Sequence, residues 1–245
     1  LFTCMVGLLI APINVDFTSA CISLLAVAIG SGAAGTLNMW YESDLDALMS
    51  RTCLRPIPAG KVKKNQALYF GMILSTLSVS MLYFSANFIS AVLLACTIGF
   101  YFFVYTIWLK RKTPQNIVIG GAAGALPPVI GWTIATGNIS IEPLILFLII
   151  FLWTPSHFWA LSLYKSEDYK KAKIPMLPIT SGTKTTKLNI FIYALIMSPA
   201  IVSPYILNFA GLFYLLVSSI MTFYYIYLCF RLYTTKTAKD SNKIA

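Results

Sequence analysis

Long apolar runs bounded by charge govern what this chain can fold into. A bilayer-spanning helix needs about 20 mostly apolar residues, and apolar runs fall at roughly 1–11, 18–41, 67–86, 88–108, 117–136, 143–163, 188–206 and 211–230. The first is too short to span, and because it is already apolar at Leu1, a helix that begins before this sequence is expected. It has neither the basic leader nor the cleavage pattern of a signal peptide. Only 11% of the 245 residues are charged, against roughly 25% in an average soluble domain. That is too little polar surface to clothe a water-soluble globule. Lys and Arg number 18 against 8 Asp and Glu, but the mean hydropathy of +0.77 argues against a basic nucleic-acid binder. Cys4, Cys21, Cys53, Cys96 and Cys229 are scattered with no C-x-x-C pair, so neither a disulfide framework nor a zinc site is indicated.

The basic residues all fall in alternate connections. Arg51, Arg55, Lys61, Lys63 and Lys64 follow the second run; Lys110, Arg111 and Lys112 follow the fourth; Lys165, Lys170, Lys171, Lys173, Lys184 and Lys187 follow the sixth; Arg231, Lys236, Lys239 and Lys243 follow the last. None remains for the opposite connections around Asp16, Asn87, 137–142 and Asn208. The excess of Lys and Arg marks the cytoplasmic side, so both ends are expected there, in a cell inner membrane or its mitochondrial equivalent. The lipid bilayer is the partner this pattern demands, and the chain reads as one domain of antiparallel helices over 1–245.

Six of the eight acids lie on that basic side, five of them in two loops. The first cluster runs from Asn38 through Glu42, Asp44 and Asp46 to Thr52. Asn38, Glu42 and Asp46 are spaced i, i+4, i+8, so on a helix they share one face over roughly 12 Å. Hard oxygen ligands on one face suit Mg²⁺ shared with a phosphate substrate; Asp44 points to the opposite face unless the helix breaks. Acids at a helix C-terminus oppose the macrodipole and call for a compensating cation. The plainer reading is a solvated helix end.

The second cluster holds His157, Glu167 and Asp168 with flanking lysines. His157 lies inside an apolar run, where ionisable groups are costly and usually functional or paired; a hydrogen bond to a backbone carbonyl and contact with a substrate are both open. A second acid pair on the same membrane face favours a cavity shared with the first. Arg51 and Arg55 directly follow the carboxylate helix, and with Lys61 and 110–112 they supply charge for a polyanion such as a diphosphate. The segment Gly120-Gly121-Ala122-Ala123-Gly124-Ala125-Leu126-Pro127-Pro128 reads as tight packing and a kink, because it lacks the context and lysine of a phosphate loop.

Asn38 through Thr52 resembles the first aspartate-rich motif of the UbiA superfamily of intramembrane prenyltransferases, in the variant carried by its heme-farnesylating branch. The resemblance extends through Arg55-Pro56-Ile57-Pro58-Ala59-Gly60, Thr113-Pro114-Gln115-Asn116, Pro127-Pro128-Val129-Ile130-Gly131-Trp132, Trp153-Thr154-Pro155, His157-Phe158-Trp159-Ala160-Leu161, Asp168-Tyr169 and Ile174-Pro175-Met176-Leu177-Pro178. It implies an all-α integral membrane bundle of about eight to nine transmembrane helices around a cytoplasm- or matrix-facing cavity, with this chain shortened at both ends. It also implies Mg²⁺-dependent transfer of a farnesyl group from farnesyl diphosphate to a vinyl group of heme B, giving heme O and diphosphate. Heme A synthase would be a downstream partner; nucleic acid would not be one. Carried over by position, Asn38, Glu42, Asp46 and Asp168 would hold the metal, with Glu167 a weaker match. Arg51, Arg55 and Lys61 would face the diphosphate. His157, Trp159, Tyr169 and Asp44 would lie toward the substrates. Glu42 stands where an aspartate is common, which keeps the charge and adds a methylene. Two alternatives stay open: a UbiA-type transferase acting on an aromatic or quinone precursor, against which His157 and the Phe-Trp-Ala-Leu segment speak, and a transporter of an anionic or lipid solute. A transporter would carry its ionisable residues at the midplane rather than grouped at one interface.

Overall fold

A computed structural model describes residues 1–235; Lys236, Lys239, Asp240 and Lys243, part of the basic-side count, lie outside the described residues. In chain order the elements are α1 (Phe2–Leu9), α2 (Phe17–Tyr41), α3 (Ser43–Asp46), α4 (Lys64–Ser85), α5 (Phe88–Gly99), a π-helix (Phe100–Leu109), α6 (Asn116–Ala125), α7 (Pro127–Thr136), α8 (Ile141–Tyr164), α9 (Ser166–Lys171), α10 (Leu177–Thr180), α11 (Gly182–Ile206) and α12 (Leu212–Thr234). Among the described residues seven helices are long and apolar enough to cross a membrane, two of them composite: Phe88–Leu109, which joins α5 to the π-helix, and Asn116–Thr136, which joins α6 to α7. The first apolar run forms only the short α1.

Local chemistry explains where these helices begin and break. Asp16 accepts from the Ser19 amide at 2.9 Å and caps α2, and Asn87 does the same for α5 through Ser90 at 2.9 Å, each satisfying an amide the helix cannot. The anticipated kink is a true break at Leu126, because Pro127 and Pro128 have no N–H to continue the ladder of α6. Pro155 in α8 and Pro199 and Pro204 in α11 sit inside spanning helices, which membrane bundles tolerate when neighbours satisfy the freed carbonyls.

Packing divides the bundle in two. One half gathers α1, α2, α4, α5 and α7 around Cys4, Val27, Leu37, Leu82, Leu94 and Ile130. The contact of α1 with α7 is backbone to backbone: a Cβ on Gly131 would stand 1.9 Å from the Cys4 carbonyl oxygen, and one on Gly7 2.1 Å from that of Pro128. Small residues at such crossings let helices approach without a hydrophobic driving force. The other half packs α8, α11 and α12 around Trp159, Leu177, Ile190, Ala194, Cys229 and Leu232. Between the halves, α6 lies against both α8 and the π-helix. On the basic side a third cluster of Leu45, Met49, Ile117, Tyr169, Ala172, Ile174 and Met176 joins the loop after α3 to the loop after α8.

Candidate active site

Asn38 lies in the last turns of α2, Glu42 at its end and Asp46 in α3. The helix breaks at Glu42 (φ −96°, ψ 13°), yet its i→i+4 hydrogen bonds continue through the break. The Glu42 amide donates to the Asn38 carbonyl at 2.9 Å and the Asp46 amide to the Glu42 carbonyl at 2.8 Å. The three side chains therefore stay stacked at helical spacing, as the i, i+4, i+8 pattern anticipates. All three are buried. Asp44 turns the other way: Arg111 grips it from outside in a two-pronged fork, Nη1 to Oδ2 at 3.1 Å and Nη2 to Oδ1 at 2.9 Å. Partial burial raises the Asp44 carboxyl, but hydrogen bonds from Arg111 and from the backbone, together with the Arg111 charge, hold it below the usual carboxylate range.

Buried carboxylates need compensation, and basic residues provide it. Arg55 Nη1 donates to both oxygens of Asp46, at 2.9 and 2.8 Å. Lys110 pairs with Glu42 Oε2, which also accepts from Asn38 Nδ2 at 2.8 Å. Glu42 Oε1 is buried with no hydrogen-bond partner. An orphaned anionic oxygen beside a second carboxylate and a free amide oxygen is the kind of donor set a hard divalent cation takes. The residues present therefore fit Mg²⁺, although among the described residues no three His, Cys, Asp or Glu side chains form a metal cluster.

Asn38, Asp46, Arg55 and Lys110 open onto a cavity of about 400 Å³. Asn38, Asp46, Arg51, Arg55 and Lys110 form its polar end. Three cations against one lining carboxylate make that end suited to a polyanion. Deeper, the rings of Tyr101, Tyr105, Trp153 and Phe158 form walls, and Gly120, Gly121 and Gly124 leave room along α6. A Cβ on Gly120 would fall 2.2 Å from Tyr105 Cδ2, and one on Gly121 2.9 Å from Thr154 Cγ2, so these side chains lie directly on bare backbone.

The second cluster meets the first by a route the sequence did not specify. Asp168 does not reach the carboxylates; its Oδ2 accepts from Ser50 Oγ at 2.7 Å. Arg51 Nη2 donates to Tyr169 Oη at 3.2 Å, with the guanidinium 5.4 Å from the ring centroid. Tyr169 is buried in the loop cluster, so Arg51 is aimed by a residue of the opposite loop. Glu167 and Lys61 are exposed and do not line the cavity. His157 stacks on Trp153, centroids 4.3 Å apart and 13° from parallel, and meets Phe158 edge-on at 5.4 Å. It has no carbonyl partner among the described residues and sits beside two cavity walls. Trp159 turns from the cavity into the core of the second half, edge-on to Tyr193 at 5.4 Å.

Lys110 is the residue that sequence reasoning underweighted. Tyr101 and Lys110 are nine positions apart, about two and a half turns of an α-helix, which would put them on opposite faces. The π-helix changes that count: the Lys110 amide bonds five residues back to the Tyr105 carbonyl at 3.0 Å, and the wider turn brings nine residues close to two turns. Tyr101, Tyr105 and Lys110 all line the cavity as a result. The signal for this register, a run of FYFFVYTIWL, is indistinguishable in the sequence from an ordinary apolar helix.

The profile of the UbiA prenyltransferase family matches residues 1–245. The protoheme IX farnesyltransferase of Pelagibacter ubique is 66% identical over 245 residues, spanning 100% of this chain and 81% of that protein. The protoheme IX farnesyltransferase of Bartonella bacilliformis is 52% identical over 244 residues, 100% of this chain and 78% of that protein. Among solved structures, one described for digeranylgeranylglyceryl phosphate synthase superposes with a TM-score of 0.83 at 22% identity, covering 99% of this chain and 85% of that one. A UbiA homolog from Archaeoglobus fulgidus bound to DMAPP and Mg²⁺ gives 0.74 at 16% identity, covering 94% and 81%. At those identities the structural likeness establishes the fold.

Proposed function

The chain belongs to the UbiA prenyltransferase family, and on that premise we propose that it transfers a farnesyl group from farnesyl diphosphate to a vinyl group of heme B, giving heme O. The names of its relatives at 50–66% identity support the substrate pair. The observation that carries the reading is the cavity itself, an end lined by Arg51, Arg55 and Lys110 joined directly to an aromatic one.

Asn38, Glu42 and Asp46 are the residues that would hold Mg²⁺, whose charge would offset that developing on the diphosphate, while Asp168 is engaged by Ser50. Arg51, Arg55 and Lys110 line the same end, where their donors bind the diphosphate oxygens and stabilise the departing anion. The allylic C–O bond breaks and its electron pair leaves with the diphosphate. The farnesyl cation is then enclosed by Tyr101, Tyr105, Trp153 and Phe158, whose π-faces stabilise positive charge while excluding water. The vinyl π-electrons of heme form the new C–C bond. Water adds to the carbon left positive beside the porphyrin and releases one proton. His157, stacked on Trp153, whose ring lines the cavity, is the side chain that would meet the heme. The one-sided distribution of basic residues supports a cavity mouth on the cytoplasmic face of the inner membrane.

Diphosphate release tests the acceptor. Membranes carrying the protein, given farnesyl diphosphate and Mg²⁺, release diphosphate when heme B is added and not when a hydroxybenzoate is added. Release with the hydroxybenzoate alone would assign an aromatic acceptor instead.

A further inference from the structure

Thr106 lies in the π-helix, fully buried, and has no place in the reaction described above. Its hydroxyl donates to the Tyr101 carbonyl five residues back, at 2.9 Å. That contact spends its only proton, so toward any other group it can only accept. The group it accepts from is Asn38 Nδ2, at 3.1 Å. The other proton of the same amide goes to Glu42 Oε2 at 2.8 Å. Both amide protons are thus engaged, and Asn38, which lines the cavity, has its Oδ1 as the remaining free atom. A flipped amide would set Oδ1 against the Glu42 carboxylate and leave the Thr106 oxygen without its donor.

We infer that Thr106 is a positioning residue that fixes the Asn38 amide so that Oδ1 is presented to the metal. This rests on Asn38 being a metal ligand, as proposed above. Partners that orient a ligand from outside the coordination sphere typically govern metal affinity by about 10- to 100-fold. The π-register is part of the device, because the i−5 carbonyl is what turns the hydroxyl lone pairs toward α2.

The test uses Mn²⁺ as a spectroscopically visible substitute for Mg²⁺, titrated into the detergent-solubilised protein with a farnesyl thiodiphosphate analogue that resists ionisation, free Mn²⁺ being read by electron paramagnetic resonance. Thr106→Val keeps the shape and removes the acceptor; it weakens Mn²⁺ binding about 10-fold, with an unfolding midpoint close to that of the parent. Thr106→Ser restores the acceptor and the affinity. If Thr106→Val does not fold, Thr106→Ala carries the same expectation. Parental Mn²⁺ affinity in the Val or Ala variant, or a Ser variant as weak as Val, overturns the inference. Asn38→Ala separates the premise: parental affinity in that variant removes Asn38 from the metal site, whereas weak binding there with unimpaired Thr106→Val removes only the positioning role.

Discussion

Glu42 and Asp46 are each only 1% exposed, a place no ionised carboxylate holds without a cation against it. Their spacing was legible because i+4 periodicity is preserved through the helix break, and the cation requirement followed from acids at a helix end. The identity of the compensating lysine was not legible, because it comes from an element 68 residues away. Lys110→Met should therefore lower stability in detergent by roughly 3 kcal/mol, the usual cost of removing one partner of a buried pair. Adding Glu42→Gln should recover most of that loss in the same unfolding measurement. A Lys110→Met protein as stable as the parent would mean that Glu42 is balanced by something else. Asp46→Asn should reduce turnover by about 100-fold or more in protein whose unfolding curve is near that of the parent. Outside the cavity, the lowered carboxyl of Asp44 makes the Arg111 pair a contribution present at neutral pH and lost as pH falls through that lowered value. In Asp44→Asn the acid side of the stability profile should be flatter.

The elements that shape the cavity were only partly written in the run pattern. Spanning helices show as apolar length, and the break between α6 and α7 showed as paired prolines, since both are properties of consecutive residues. The π-helix is a property of hydrogen-bond register, to which apolar content is blind. It matters because it delivers Tyr101, Tyr105 and Lys110 to one side. Gly120 is the complementary feature on α6: a methyl there would collide with the Tyr105 ring at 2.2 Å and push it into the space assigned to substrate. Gly120→Ala should lower kcat/KM by about 10-fold or more, since misplacements near 1 Å can cost about 100-fold, with stability little changed because the ring has the cavity to move into. Steady-state kinetics against farnesyl diphosphate would show it, and unchanged kcat/KM would mean that Tyr105 does not border the reacting space.

At the scale of the whole molecule, two half-bundles are tied together on the basic side by a loop cluster, Leu45, Met49 and Ile117 meeting Tyr169, Ile174 and Met176. The sequence placed both acid clusters on one membrane face and from that expected a shared cavity, but neither Glu167 nor Asp168 lines the cavity that Asn38 and Asp46 open onto. The two loops are linked instead by Ser50 to Asp168 and Arg51 to Tyr169. Apolar residues scattered through two polar loops carry no periodicity, so their convergence was invisible. Tyr169→Phe keeps the packing and frees Arg51; it should raise KM for farnesyl diphosphate about five-fold, the worth of roughly 1 kcal/mol, with kcat nearly unchanged. This one cavity is expected to join a metal-assisted diphosphate site to a heme acceptor. Incubating membranes that carry the protein with heme B, farnesyl diphosphate and Mg²⁺, with and without chelator, and weighing the extracted heme by mass spectrometry tests it most directly. The expected result is a chelator-sensitive gain of one farnesyl and one hydroxyl group; unmodified heme from membranes that retain the folded protein would contradict that role.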